Sequence, residues 1–413
     1  MCNMIRGFAV TAILGLASSA FGQDAKAVFE QRLMPIFKSP NPSSCVQCHL
    51  AGVDLKDYIR PSHEQTFVSL RDQGLIDLEQ PEKSKILQLI SMGEKYAGAQ
   101  LIHQKNRTAE YEAFAGWIKA SARDPKLRDL PKAPAAELSG PKRPLEVVRH
   151  ARKDRIAESF ENNVWAMRFR CMSCHIEGTD ENRKLVAKHG KKVAWFKKQG
   201  PETTLDFIVA AGLIDIENPE KSLLLTKPLN DVEHGGGKKF VRGDQGHRAF
   251  LAFVQDYARI KKNAYPDAAS LPKSGDRRMQ FGSESWLKIV NTPPEWADRL
   301  LQVDLHAWND ATKTWNVEPI ATSDRVVWGK GKLWQHTLTL SAEKGADLAK
   351  RWAAGPAILP EGKYLAKAYV DRANGTDAPP ARRFEYAGQA EIRSAWPTGY
   401  GRMTSIDGKA IRP

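Results

Sequence analysis

GLIDLEQPEKS, residues 74–84, returns as GLIDIENPEKS at residues 212–222, identical at nine of eleven positions. A match of that length is an internal duplication, so the chain reads as two like units plus whatever lies beyond them. Outward from the pair the likeness continues. VFEQRLMPIF (28–37) and SFENNVWAMRF (159–169) precede the two copies, and AEYEAFAGWIKA (109–120) and GHRAFLAFVQDYA (246–258) follow them. Each unit is predicted as a helix, a short cysteine motif, a helix near the GLID element, a loop and a C-terminal helix. Phe114, Trp117 and Ile118 mark the apolar face of the last helix in the first unit; Phe250, Phe253, Val254 and Tyr257 do so in the second. Those aromatics read as core.

Between the first helix and the GLID element each unit carries Cys-x-x-Cys-His: Cys45-Val46-Gln47-Cys48-His49 and Cys171-Met172-Ser173-Cys174-His175. Three chemistries use paired cysteines. A redox dithiol wants a strand-to-helix junction, and the flanks here read as helix, then loop. A four-cysteine zinc site would have to join two pairs that belong to separate repeats. Covalent attachment of c-type haem needs two thiols at this spacing with a histidine directly after, as proximal iron ligand, and both copies have it. The expected cofactors are two covalently bound haem c groups, held by Cys45, Cys48, Cys171 and Cys174, with His49 and His175 on the irons.

The start of the chain fits that chemistry. MCNMIRGFAVTAILGLASSAFGQ has one basic residue, Arg6, a short apolar run and small residues at Ala20 and Gly22. This is the layout of a secretory signal peptide over residues 1–22, too short in its apolar part for a permanent membrane span. The expected location is the periplasm or another exported compartment. Cys2 leaves with the signal, and the four remaining cysteines are those of the two motifs.

Each unit resembles a class I cytochrome c domain. Together with HGGG at 234–237 and a tryptophan-rich tail, the repeat resembles the tandem, dihaem cytochromes c of the planctomycete type. That resemblance covers nearly the whole mature chain, and it implies electron transfer with a distal loop placing HGGG over the haem. In SLLLTKPLNDVEHGGGKKF (222–240) the glycines after His234 let the backbone pass close to a flat ligand, which suits His234 as sixth ligand of the second iron, with His247 and His189 as alternatives. The first unit has Lys95 opposite His234 and no glycine run. Met92 is the first choice there and His103 the second; methionine would raise the reduction potential relative to bis-histidine.

The formal net charge is +14, with 62 Lys and Arg against 48 Asp and Glu. Much of the surplus lies in KLVAKHGKKVAWFKKQ (184–199), a stretch the first unit largely lacks. Lys188, Lys191, Lys192, Lys197 and Lys198 there form either a solvated face or a patch that steers an acidic redox partner. Nucleic acid is not an expected partner of an exported protein, and no transmembrane anchor is expected.

Two proline-rich joints set the expected boundaries: cytochrome c-like domain 1 at 23–124, a linker at 125–149, domain 2 at 150–262, a linker at 263–280 and a C-terminal domain at 281–413. The last shows period-two alternation with turn signals and holds eight of the eleven tryptophans. The expected fold class is therefore multidomain α plus β: two all-α units, then an antiparallel β-sandwich. His306 and His336 lie in its strands and read as core or face residues. An electron carrier is the leading functional reading. The alternatives are a dihaem peroxidase-like enzyme with one open iron position, and a redox-linked binding protein that uses the β domain.

Overall fold

The computed structural model describes residues 24–38, 43, 45, 49–51, 58–91, 104–135, 137–138, 144–272, 277–329, 332–371 and 384–413. Residues 1–22, read above as a signal peptide, with Cys2, and also Cys48, Met92, Lys95 and His103, lie outside the described residues. The protein is α plus β and divides into two compact units. The first takes in Met1–Ser44, Leu55–Met92 and Gln104–Gly140; the second takes in Cys45–Asp54, Gly93–His103 and Pro141–Pro413.

In the first unit, α1 (Ala25–Val28) runs through a π turn at Phe29–Leu33 into α2 (Met34–Lys38). Then come α3 (His63–Asp72), α4 (Lys85–Ser91), α5 (Gln104–Arg123) and the single turn α6 (Pro125–Arg128). Ser62 caps α3, its hydroxyl accepting from the Gln65 amide, as the preference for short oxygen-bearing side chains at helix starts predicts. The core is aromatic: Phe29 and Phe67 lie 5.6 and 6.2 Å from Trp117, and all three are fully buried. Each such side chain contributes about 1.5–3 kcal/mol by leaving water.

The second unit opens with α7 (Leu145–His150) and α8 (Lys153–Asn163), followed by a 3₁₀ segment Trp165–Arg170 and α9 (Met172–His175). α10 (Asp180–His189), α11 (Pro201–Ala210), α12 (Leu223–Leu229) and α13 (Gln245–Lys261) complete its helices before the sheet. Phe160 of α8 meets Phe253 of α13 at 5.4 Å, the counterpart of the Phe29–Trp117 contact.

The duplicated GLID element folds the same way twice. Gly74 and Gly212 take φ of +68° and +65°, a left-handed turn that glycine adopts freely. The Asp77 amide donates to the fully buried Ser84 hydroxyl at 3.0 Å, and Asp215 does so to Ser222 at 3.0 Å. Ile86 and Leu224 amides bond back to the Leu75 and Leu213 carbonyls at 3.1 Å each. The nine identical residues thus encode one tight loop that turns one helix into the next.

The eight described strands are β1 (Arg278–Val290), β2 (Leu300–Asn309), β3 (Thr314–Trp315), β4 (Ala321–Val326), β5 (Leu333–Glu343), β6 (Gly362–Asp371), β7 (Phe384–Ser394) and β8 (Thr404–Asp407). The antiparallel sandwich expected from the sequence is not confirmed. Hydrogen bonding joins the strands in one mixed sheet, ordered β7-β6-β2-β4-β5-β1-β8 with β3 on β2, and β1 and β8 run parallel. Period-two alternation identifies strands but says nothing of their order, which is why the pairing was not legible. The sheet curls until its edges nearly meet, with the Ser394 and Thr404 hydroxyls 2.6 Å apart and Gln389 of β7 exchanging backbone bonds with Arg412. Leu287, Val303, Leu340, Trp334 and Trp396 fill the inside, and α14 (Asp347–Ala354) lays Trp352 against Phe281 at 5.5 Å.

Within the second unit the sheet packs on the segment that leads into the CMSCH motif. The Gln280 amide bonds the Asn162 side chain at 2.9 Å, and Arg168 donates to the Gly282 carbonyl at 3.4 Å. Gly282 has no room for a side chain, because a Cβ there would lie 2.8 Å from the Ala166 carbonyl oxygen. Arg170 pairs with Asp324 of β4 at 3.3 Å, both side chains nearly inaccessible to water.

Candidate metal centre

Cys171 stands at the start of α9 and Cys174 and His175 follow three and four residues later, so the helical repeat puts these side chains on one face. Cys171 is buried in the apolar cluster around Phe160, Phe196 and Phe253, and that burial pushes its thiol up to about 12. A thiol so disfavoured as thiolate is a poor nucleophile, which argues against a redox dithiol at this position. Cys171 and Cys174 are free thiols.

His175 is held on three sides by the stretch that follows α10. Its Nδ1 lies 2.8 Å from the Val193 carbonyl, its own carbonyl accepts from the Phe196 amide at 3.1 Å, and its ring packs on Trp195 at 5.5 Å. Buried Asn182 adds a bond from its side chain to the Cys174 carbonyl at 2.8 Å. A carbonyl can only accept, so Nδ1 carries the proton and Nε2 presents its lone pair. Burial lowers the pKa of His175, against the pull of the Val193 carbonyl, and the nearby His234 and Lys239 add to the lowering.

His234 arrives from the other direction. Asn230, left-handed at φ +64°, ends α12 and its side chain accepts from the His234 amide at 3.2 Å. The loop then turns through Gly237 at φ +67°, whose carbonyl takes the His234 Nδ1 proton at 2.8 Å. At Gly236 an added Cβ would come within 3.1 Å of the His234 ring and 3.3 Å of the Lys239 side chain. These are the reasons for glycine in HGGG: one left-handed turn and one close approach.

The outcome is two imidazoles close together with nearly parallel planes. The His175 and His234 rings are 9° from parallel, with centroids 5.9 Å apart. Each has its Nδ1 tied to a backbone carbonyl, the arrangement that fixes the tautomer and aim of metal-bound histidines. Two ring nitrogens each about 2 Å from one ion would put the centroids roughly 6 Å apart. The remaining histidines weighed for this role are placed differently. His247 uses Nδ1 to accept from the Gly243 amide at 3.1 Å, and His189 is exposed at the end of α10.

At the first motif, the His49 amide closes a turn on the Cys45 carbonyl at 3.0 Å, and His49 forms a β-bridge with Arg152. The Leu50 amide bonds the Ala151 carbonyl at 2.9 Å, and Leu50 and Ala51 pack against the core of the second unit. The His49 imidazole is driven down to about 4 by burial and then by the Arg152 charge. Its Nδ1 is buried with no hydrogen-bond partner among the described residues.

Of the lysines in 184–199, Lys188, Lys191, Lys192 and Lys198 are exposed. Lys197 is engaged instead, bonding the Ala194 carbonyl at 2.7 Å and lying 3.7 Å over the Phe207 ring. His306 and His336 belong to the sheet, with Nδ1 atoms on the Asn316 carbonyl and the Ser323 hydroxyl. Among the described residues no helix is long and apolar enough to cross a membrane, and no three His, Cys, Asp or Glu side chains gather as a metal-binding group. No protein-family model, curated protein or solved structure matches the chain.

Proposed function

We propose that the chain is an exported dihaem c-type cytochrome that works in electron transfer, its two helical repeats being cytochrome c-like domains. The observation that carries this reading is the His175–His234 pair, parallel and 5.9 Å apart, beside two free cysteines at CxxC spacing. Two nitrogens are too few to hold an ion on their own, and no third protein ligand gathers with them among the described residues. A cofactor that brings donors of its own fits this pair. When bound, haem supplies a one-electron couple at its iron.

The chain's own residues then have these tasks. The Cys171 and Cys174 thiols would anchor the group, and the Nε2 atoms of His175 and His234 would be its protein ligands. The Val193 and Gly237 carbonyls hold both imidazoles in the tautomer that leaves Nε2 unprotonated. Trp195 and Phe196, stacked at 3.8 Å, keep water from His175. Cys45, Cys48 and His49 do the same work at the first motif, with Met92 or His103 as its sixth ligand. The lysines exposed after α10 suit an acidic redox partner.

The test is the protein exported by a host that attaches haem c. Two covalent haems per chain, both low-spin and unreactive to cyanide, are expected, and His234→Ala opens one of them to cyanide. Absence of covalent haem, or a high-spin haem in the parent that turns over peroxide, would sink the electron-carrier reading.

A further inference from the structure

Between the loop that follows His234 and the β4–β5 hairpin lies a cavity of about 430 Å³, within the range of small-molecule sites. Phe240 and Val327 give it apolar wall, and Trp328, 60 % exposed, adds a large aromatic surface with no evident packing role. Lys239 and Arg325 bring positive charge to the same lining. Arg325 donates to the Gln335 carbonyl at 3.3 Å, and no carboxylate pairs with it or with Lys239 among the described residues. Two of the acids in the lining are occupied. Asp324 is taken by Arg170, and Asp244 accepts from the Val241 and His247 amides at 2.8 and 2.7 Å. Asp298 alone adds an uncommitted negative charge.

Unpaired cations, an exposed indole and apolar walls together suit a flat molecule with anionic substituents, since stacking and charge-assisted bonds can act at once. We propose that this cavity binds a planar organic anion, an aromatic carboxylate or sulfonate, stacked on Trp328 with its charge on Lys239 and Arg325. The side chain of Lys239 also lies beside the His234 ring, so an occupant sits next to the candidate metal centre. The binding itself does not rest on the haem reading.

Calorimetric titration of the full chain with anthraquinone-2,6-disulfonate tests this. Saturable binding of one probe per chain is expected, weakened about tenfold by Arg325→Ala and by Trp328→Ala. Both side chains are exposed, so neither change threatens the fold. Asp298→Asn should tighten binding about threefold, a gain that misfolding cannot imitate. Asp298 has φ +59°, which asparagine tolerates. No saturable binding, or equal affinity in all variants, overturns the proposal. So does a probe that fails to bind while Arg325→Ala alone shifts the reduction potential, because the cations then serve the prosthetic group's own carboxylates.

Discussion

His175 and His49 occupy the same place in their motifs and are held in different ways. His175 has a carbonyl on Nδ1, a tryptophan against its ring and a backbone bond on each side of the Ile176–Phe196 bridge. Nearly all of that comes from residues 193–196, in the stretch the first repeat largely lacks. His49 is held by its bridge to Arg152 of the other repeat and a backbone bond at Val148, and its Nδ1 has no hydrogen-bond partner among the described residues. The difference teaches that a lysine-rich insertion, legible only as surface charge, also orients His175.

The comparison breaks most completely where the anchors are removed. Cys171→Ser with Cys174→Ser should halve covalent haem, measured as the pyridine haemochrome, and should abolish the cyanide sensitivity that His234→Ala creates. Changing Cys45 and Cys48 should halve it too but leave that sensitivity in place. Equal effects of both pairs on the His234→Ala spectrum would undo the assignment of His234 to the second motif.

Next in size is the brace beside the second motif. Arg170→Ala leaves Asp324 buried beside Asp244 without its cation, a loss of about 3–5 kcal/mol. Urea denaturation measures it, and a loss below about 1 kcal/mol would show that the brace adds no stability.

Glu161 on α8 makes the packing pH-sensitive. Burial, then the charges of Glu202 and Glu158, raise its carboxyl to about 7 from 4.5. A raised carboxyl favours the fold while protonated, so this contribution is complete below 4.5 and lost as pH rises through about 7. Glu161→Gln should therefore gain on the parent by about 3 kcal/mol between pH 4 and pH 8. A difference that stays flat across that range would rule Glu161 out as the titrating group.

The smallest effect tests the HGGG turn. Gly237→Ala, at φ +67°, should cost about 1–2 kcal/mol and broaden the low-spin spectrum of the second haem alone. Gly235→Ala, where a Cβ meets nothing within 4 Å, should leave that spectrum unchanged.

Much of this was open to reading. The nine shared residues of the GLID element specify its turn completely, because Gly74, Ser84 and their copies do local jobs within one loop. The left-handed turn at Gly237 is likewise local to HGGG. The bracing of Arg170 by Asp324 was not legible, since the partners are 154 residues apart and a lone arginine before a cysteine motif carries no periodicity. Nor was the engagement of Lys197, whose contacts to Ala194 and Phe207 exist only once the chain has folded.

The bond between the Leu50 amide and the Ala151 carbonyl also bears on the order of events during synthesis. CVQCH leaves the ribosome first, yet the backbone it docks on follows about a hundred residues later, some 5–20 s at ordinary elongation rates. Throughout that interval Leu50 lacks the backbone it pairs with. CMSCH emerges after its own α8 and about seventy residues before α13, a somewhat shorter wait. Slowing translation between the repeats would lengthen the first window and leave the second almost unchanged.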